Sequence, residues 1–245
     1  MKSAKLKGFE DRRSFLENSG VVIMVNVSVL GYGVVGSGVV DILKKNGKSI
    51  KTRAGEDIKV KRILDIRDFP ESEYKELFTK NADDVFNDES IKIVVETIGG
   101  IGIAYEYTKR ALKSGRHVVT SNKELVATHG PELLKIAQEN NVRYLFEASV
   151  GGGIPIIRPL RQCLAANMIT GITGILNGTT NYILTRMKKD GMDFDEALKG
   201  AQKNGYAEAD PTADIEGHDA CRKIAILSSL AFNEFVRLIF LMNAV

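Results

Sequence analysis

Residues 25–45, "VNVSVLGYGVVGSGVVDILKK", change in mid-course from one hydrophobic pattern to another. The first residues are β-branched and apolar, which is typical of a buried strand. The segment from Val34 onward has the spacing of a helix, and glycines separate the two. The stretch therefore predicts a strand, a tight glycine turn and a helix in direct succession.

The same alternation continues outward along the chain. Further strands are predicted at residues 58–66, 91–100, 117–122 and 142–150, and helices at 104–115 and 131–141, with a loop at 46–57 and a polar, helix-compatible stretch at 71–80. Strands that alternate with helices indicate a parallel sheet covered by helices. The predicted fold class is α/β, with a Rossmann-like doubly wound parallel sheet over residues 24–150.

A change of composition at residues 149–160, "SVGGGIPIIRPL", marks a domain junction or a ligand site. Beyond it, helices at 160–167, 181–189 and 194–204 and a strand at 169–176 predict a mixed α/β domain over residues 151–245. Asp193 and Glu196 form a capping signal for the last helix, and Gly205 should end it. Residues 1–23 are expected to be a disordered or spurious extension, with Met24 as a plausible true start.

Composition excludes several functional classes. With 34 basic and 31 acidic residues the net charge is only +3, so neither nucleic acid nor a membrane is an expected partner. Cys163 and Cys221 are far apart, which argues against a disulfide framework and fits reduced thiols in the cytosol. The three scattered histidines suggest neither a metal trio nor a catalytic triad.

Gly31, Gly33 and Gly36 form a G-x-G-x-x-G motif between the first strand and the first helix. This is the context in which the motif binds a dinucleotide: the glycines let the pyrophosphate approach bare backbone at the helix N-terminus, where Val34 and Val35 lie. A nicotinamide or similar dinucleotide is therefore the predicted cofactor.

Two charged residues end the second predicted strand. Asp65 could accept a ribose hydroxyl, whereas Arg67 could pair with a 2′-phosphate or stack on adenine. Both could instead be ordinary charges at a strand end. The pair favours NADP mildly over NAD.

Residues 204–223, "NGYAEADPTADIEGHDACRK", combine several acids with a lysine. Asp219 and Lys223 are four residues apart, so on a helix they share one face. Hydride transfer between an alcohol and an aldehyde needs a positioned acid or base, and a lysine beside carboxylates can donate the proton. Spare carboxylates could bind a substrate ammonium group, which points to an amino acid with a reducible carbonyl. Lys123 follows an apolar strand at the sheet edge where such folds bind ligands.

At this point the chain resembles homoserine dehydrogenase. The resemblance runs from about residue 25 to residue 232 and rests on these motifs: "GYGVVG", "ETIGG", "SNKEL", "EASVGGGIPII", "GILNGTTNYIL" and the acidic stretch at 204–223. It implies reversible NAD(P)-dependent oxidation of L-homoserine to L-aspartate 4-semialdehyde by a cytoplasmic enzyme of threonine and methionine biosynthesis.

The resemblance also implies roles for particular residues. Lys223 matches the family's proton donor, and Lys123 matches a second lysine near substrate and nicotinamide. Glu208 and Asp219 match carboxylates that hold homoserine, and Asp214 lies nearby. Two other matched positions contact the cofactor in the family, Thr97 and Gly205. The family also binds a monovalent cation, usually sodium, largely through carbonyl oxygens, and the matching positions are Glu147, Val150, Gly152 and Ile154.

The chain departs from the family pattern at its C-terminus, where it stops at "FNEFVRLIFLMNAV". We expect a truncation, or a change of reading frame, that leaves the substrate and dimerisation domain incomplete. The family's homodimer is then doubtful for this chain. The alternative function is a truncated, inactive chain that retains dinucleotide binding; another semialdehyde or sugar dehydrogenase is disfavoured because no thiol has a nucleophile's setting.

Overall fold

The structure, a computed structural model, describes residues 24–236, which form two compact units that divide between Thr97 and Ile98. Residues 1–23 and 237–245 lie outside the described part of the chain, so the predictions made for them are not tested by the structure. The domain division at residue 150 remains a prediction.

The first unit is a parallel sheet with helices between its strands. Its elements are β1 (Met24–Leu30), α1 (Val34–Lys45), α2 (Gly47–Ala54), β2 (Asp57–Leu64), a 3₁₀ turn (Lys75–Leu77), β3 (Phe78–Thr79), α3 (Asp83–Phe86) and β4 (Ile91–Glu96). The strand order is β3-β2-β1-β4, and every pair is parallel. This order is the first part of the arrangement in dinucleotide-binding folds, with β1 beside the point where the order reverses.

The core of this sheet follows from its apolar strands. Val29 on β1 lies opposite Ile63 on β2, and both are fully buried. Strands buried on both faces are near-continuous apolar runs, as β4 is in sequence, whereas Asn26 and Ser28 interrupt the apolar residues of β1. Because parallel strands all end at one edge, the loops after β1, β2 and β4 are brought together there.

The second unit contains a short parallel strand pair and most of the helices. Its elements are α4 (Gly102–Lys113), β5 (His117–Thr120), α5 (Lys123–Glu139), β6 (Tyr144–Leu145), α6 (Ala148–Gly151), a π-helix (Pro159–Cys163), α7 (Gly178–Asp190), α8 (Phe194–Lys203), α9 (Thr212–Ile215) and α10 (His218–Phe232). Val118 of β5 pairs with Tyr144 of β6. Helix α5 packs against both α4 and α10.

Small residues let α7 and α8 approach closely. Ala197 and Ala201 of α8 are fully buried against Ile183 of α7, and Gly200 faces the ring of Tyr182. The predicted cap of α8 is confirmed, because Asp193 accepts a hydrogen bond from the backbone N–H of Glu196 at 2.8 Å. Gly205 follows the helix with a φ of +74°, as its predicted role requires.

Several predicted elements are wrong. The loop at 46–57 contains helix α2, the stretch at 71–80 forms a 3₁₀ turn and a short strand, and the strand at 142–150 shortens to Tyr144–Leu145 before a helical turn. Helix α5 begins at Lys123 rather than at Pro131, which lies inside it. Residues 169–176 form no strand, and the described residues beyond 151 form helices and loops without a strand. An apolar run without a neighbouring strand has no ladder to join.

Candidate active site

The glycine loop after β1 has no room for side chains at its centre. Gly31 has a φ of +91°, which favours glycine. A Cβ on Gly36 would overlap the carbonyl oxygen of Gly31 and press on the hydroxyl of Thr97. That hydroxyl donates to the carbonyl oxygens of Leu30 and Gly31, at 3.0 and 2.8 Å. Thr97 therefore ties the end of β4 to the loop, a role in addition to any contact with a cofactor.

The N-terminus of α1 is open for an anion. Gly33 occupies the N-cap without a side-chain hydrogen bond, and the first turn contains no acidic residue. A Cβ on Gly33 would have no heavy atom within 4 Å, and Val34 and Val35 are exposed. Uncapped N–H groups at the start of a twelve-residue helix, reached over bare backbone, fit a pyrophosphate.

Asp65 and Arg67 form a bidentate ion pair where β2 ends. Arg67 Nε donates to Asp65 Oδ1 at 3.0 Å, and Arg67 Nη2 donates to Asp65 Oδ2 at 2.9 Å. The backbone N–H of Tyr32 also donates to Asp65 Oδ2, at 2.7 Å. Hydrogen bonds from the Arg67 guanidinium hold the pKa of the Asp65 carboxyl well below its usual range, against the effect of burial. Asp65 therefore anchors the glycine loop, and its oxygens are already occupied.

A basic cavity of about 430 Å³ adjoins this ion pair within the first unit. Its lining includes Arg67, Lys75 and Lys80, together with the rings of Phe69 and Phe78. The Arg67 guanidinium lies 5.1 Å from the centre of the Phe69 ring. Cations beside aromatic faces can bind a phosphorylated adenosine, although sequence analysis identified only Arg67 of this group.

In the second unit, one carboxylate contacts two lysines. Asp219 and Lys223 lie one turn apart on α10, with Lys223 Nζ at 2.7 Å from Asp219 Oδ2. The Lys123 ammonium lies against Asp219 Oδ1. Lys123 is in the first turn of α5 because Asn122 caps that helix, accepting from the N–H of Leu125 at 3.0 Å.

The environment of Asp219 favours its charged form. Burial alone would raise the pKa of this nearly inaccessible carboxyl, but hydrogen bonds from Lys123, Lys223 and Asn177 outweigh it, and the pKa is lowered. Lys223 is mostly buried and also donates to the carbonyl oxygen of Leu176 at 2.8 Å. An ammonium group has three donors, so one remains for a ligand.

Asp214 is held beside this cluster by two side chains from α7 and its cap. Asn177 Nδ2 lies 2.6 Å from one Asp214 oxygen, and Thr179 Oγ1 lies 2.8 Å from the other. Glu208 is exposed, and its carboxylate has no hydrogen bond or ion pair with the residues that the structure describes. Of the predicted substrate ligands, Asp214 and Asp219 thus join the lysines, whereas Glu208 lies on the segment after α8. Gly205, which was predicted to contact the cofactor, lies on the same segment, and both residues are exposed.

Sequence reasoning missed the residues that support this cluster. Arg222 donates to Glu124 at 2.7 Å, which gives α10 and α5 a second contact beside Lys123 and Asp219. Glu124 follows Lys123 and Arg222 precedes Lys223, so each lysine has a charged neighbour in sequence and those two neighbours have opposite charges, which was the available signal. Asn177 was named only within the "NGTTNY" motif.

The predicted cation loop is built around the side chain of Glu147. Its carboxylate accepts from the N–H groups of Ile156 and Ile157 at 2.6 and 2.8 Å, and from Arg158 at 2.8 Å. Burial raises its pKa, but these bonds prevail and the pKa is lowered. Gly152 has a φ of +59°, and Ile154 donates to the carbonyl oxygen of Gly151. Within the described residues there is no group of three or more His, Cys, Asp and Glu side chains that could hold a metal ion.

The strand order, the glycine turn and the uncapped helix define a dinucleotide-binding α/β protein of the Rossmann class. Comparison with protein families specifies it further: residues 31–147 match the NAD-binding domain of homoserine dehydrogenase, and residues 155–239 match the homoserine dehydrogenase family. The chain belongs to the homoserine dehydrogenase family, as the resemblance in sequence indicated.

Individual relatives agree with this assignment. The chain is 45% identical to homoserine dehydrogenase of Neisseria gonorrhoeae, over 85% of this chain and 48% of the relative. The crystal structure of a homoserine dehydrogenase from Thiobacillus denitrificans has a TM-score of 0.79 and 47% identity, covering 87% of this chain and 50% of that one. A hyperthermophilic archaeal homoserine dehydrogenase in complex with NADPH has a TM-score of 0.73 and 31% identity, covering 86% and 71%.

These comparisons confirm the Rossmann-like fold class and the predicted dinucleotide-binding domain. The chain spans about half the length of the curated relatives that it matches. Among the described helices, none has the length and apolar character to cross a bilayer.

Proposed function

We propose that this chain catalyses the NAD(P)-dependent interconversion of L-homoserine and L-aspartate 4-semialdehyde. The observation that carries the proposal is the Lys123–Asp219–Lys223 cluster in a chain of this family. When bound, the nicotinamide cofactor supplies or accepts the hydride at the carbonyl carbon. Side chains of the protein transfer the proton and bind the substrate.

Lys223 is the proposed acid and base. In the direction of reduction its ammonium group donates a proton to the aldehyde oxygen, and in oxidation the neutral amine takes the hydroxyl proton back. Its mostly buried position and its bonds to Asp219 and Leu176 fix the direction of the remaining donor. Lys123 adds a second positive charge on the same carboxylate, so the three groups together stabilise negative charge that develops on the substrate oxygen.

The carboxylates are the proposed site for the substrate ammonium group. Glu208 is exposed, and its carboxylate has no hydrogen bond or ion pair with the described residues, so the carboxylate can bind the ammonium group directly. Asp214 and Asp219 add negative charge nearby, although their oxygens already accept bonds from Asn177 and from Thr179 or the lysines. Gly205 follows α8 and offers bare backbone to the cofactor.

NADP is the proposed preferred cofactor. Arg67, Lys75 and Lys80 of the basic cavity are the proposed groups for a 2′-phosphate. Two of them also pair with acids of the same lining, Arg67 with Asp65 and Lys80 with Asp68, and the oxygens of Asp65 accept from Arg67 and Tyr32. A homologous archaeal enzyme was crystallised with NADPH. A sodium ion held by carbonyl oxygens of Glu147, Val150, Gly152 and Ile154 is also proposed, because the glycine turn presents hard oxygen donors and the Glu147 carboxylate is committed elsewhere.

The biological setting is proposed from the family alone. The chain would act in the cytoplasm, in the part of the aspartate pathway that leads to threonine and methionine, and the family's homodimer is the state to test. The alternative is a chain that binds dinucleotide without turnover.

One experiment separates the two functions. The 245-residue chain is incubated with L-homoserine and NADP, then NAD, while the absorbance of the reduced nicotinamide is followed. Turnover supports the dehydrogenase. Its absence, with NADPH still raising the melting temperature, leaves the binding function alone.

A further inference from the structure

Asn177 is the N-cap of α7 and contacts two other elements of the site, α9 and α10. It is buried, and its side-chain oxygen accepts from the backbone N–H of Thr180 at 2.7 Å, which caps α7. Its Nδ2 lies 2.6 Å from Asp214 Oδ1 on α9 and 3.0 Å from Asp219 Oδ2 on α10. A single amide therefore links one helix start to two carboxylates.

The partners of Asn177 determine the orientation of its amide. The oxygen faces a backbone donor, and the nitrogen faces two acceptors, so the reverse orientation would place like groups together at all three contacts. An amide offers two donors and an acceptor on one short side chain. A serine or aspartate at this position could cap the helix equally well, but neither could donate to both carboxylates.

The same loop also contacts Lys223 directly. The carbonyl oxygen of Leu176, the residue before Asn177, accepts from Lys223 Nζ at 2.8 Å, and Asp219 Oδ2 accepts from both Lys223 and Asn177. Any movement of Asn177 would thus shift both groups that fix the Lys223 ammonium. This geometry links the capping residue to the proposed proton donor.

We propose that Asn177 is a positioning residue for this reaction: its amide fixes Asp219, and through it Lys223, while separating Asp219 from Asp214. The inference rests on the proposed function and extends it to a residue that does not itself react. Two carboxylates that accept from one amide avoid the repulsion of a direct contact. The amide is therefore required as a donor, beyond its role as a cap.

Two substitutions separate positioning from capping. Asn177→Ser retains a capping oxygen and removes the bridge to the carboxylates, and Asn177→Asp retains the cap but places a third carboxylate between the other two. If Asn177 only caps α7, Asn177→Ser should resemble the wild type in kcat, because serine is a strong N-cap. Asn177→Asp places a charge beside Asp214 and Asp219 in either case. If it positions Asp219, kcat should fall by about tenfold or more in both, with a smaller change in KM. Asn167→Asp, at an exposed position, is the matched control.

The Asn177→Asp variant should also respond to pH in a way that no loss of packing produces. The groups facing position 177 are Asp214 on α9, Asp219 and Lys223 on α10, and Lys123 on α5 through Asp219. The neighbouring carboxylates raise the pKa of a new carboxyl in the folded state, so its destabilising effect is small at low pH and grows as the pH rises. We expect the deficit in melting temperature to increase between about pH 5 and about pH 8, while that of Asn177→Ser stays constant.

The melting experiment requires no catalysis, so it remains decisive if the 245-residue chain proves inactive. A pH-independent deficit in Asn177→Asp, or wild-type kcat in both variants of an active enzyme, would overturn the positioning role. Absence of turnover in the wild type, with the pH-dependent deficit present, would contradict the proposed function and support the contact geometry.

Discussion

At the scale of one residue, Asp219 is a buried carboxylate whose charge is stabilised by its neighbours. Removing a carboxylate from water is costly, and two lysines and an amide offset that cost. Its side chain is almost inaccessible, whereas Lys123 remains half exposed and Lys223 mostly buried. The buried anion therefore fixes the positions of the two cations.

Replacing Asp219 by asparagine should destabilise the fold in a pH-dependent way. At neutral pH we expect the free energy of unfolding to fall by about 1–3 kcal/mol, with the Lys123 contribution reduced by solvent. Because the folded-state pKa is depressed, the stabilisation is present above the unfolded value near 3.9 and is lost as the pH falls below it. Urea unfolding at several pH values measures the difference, with the exposed Asp195→Asn as control. A difference that persists unchanged in acid would contradict the ion-pair account.

Arg67 should influence the choice of cofactor. Its guanidinium borders the basic cavity, so Arg67→Ala should weaken NADPH binding by about tenfold and NADH binding much less. Titration calorimetry with both cofactors measures the two effects. Arg53→Ala, on exposed α2 of the same unit, is the control. Equal losses for the two cofactors would remove the proposed role of Arg67.

Single residues could be predicted where spacing or motif determined them. Asp219 and Lys223 are neighbours on any helix, so their contact followed from sequence alone. The contact of Lys123 with the same carboxylate joins residues almost one hundred positions apart, and residue spacing cannot show it. The partners of Asp65 and the bridge through Asn177 are likewise products of tertiary structure.

At the scale of elements, the β1 turn places the strictest demand on sequence. Gly36 packs against the carbonyl oxygen of Gly31, so the first turn of α1 can sit close to the strand end only without a Cβ. Gly38 is on the same helix, and a Cβ there would meet nothing within 4 Å. The two glycines differ in function although they are two residues apart.

This pair provides a matched test of the loop. Gly36→Ala should lower the free energy of unfolding by about 1–3 kcal/mol through overpacking and should remove the stabilisation by NADPH. Gly38→Ala should be neutral, or stabilising by about 0.5–1 kcal/mol, since alanine is the better helix former. Melting temperatures with and without NADPH compare them. Equal behaviour of the two variants would show that the loop is not packed as described.

Strong local signals located most elements, and tertiary context changed the others. The change of hydrophobic pattern between β1 and α1 predicted both elements correctly, and the capping signals Asp193 and Gly205 did the same for α8. The predicted start of helix α5 is too late because Pro131 resembles a helix start, whereas the Asn122 cap lies nine residues before Pro131. The run at 169–176 has the composition of a strand but no partner strand among the described residues.

At the scale of the whole molecule, the two regions that match the family occupy most of the chain. The chain spans about half the length of the curated relatives that it matches. Family membership was predictable because dispersed motifs occur in one order along the sequence. Activity of the 245-residue chain requires that the Lys123–Asp219–Lys223 cluster suffices for the reaction.

The most direct test of this account is the rate of semialdehyde reduction by Lys223→Ala beside the wild type and the exposed control Lys203→Ala, with NADPH as cofactor. We predict that the wild type and the control turn over, and that Lys223→Ala loses at least about 100-fold in kcat, as expected for a missing general acid. Added methylammonium should restore part of the lost rate. Near-normal turnover by Lys223→Ala would contradict the assignment of the proton donor, and an inactive wild type would contradict the claim that this chain carries the chemistry.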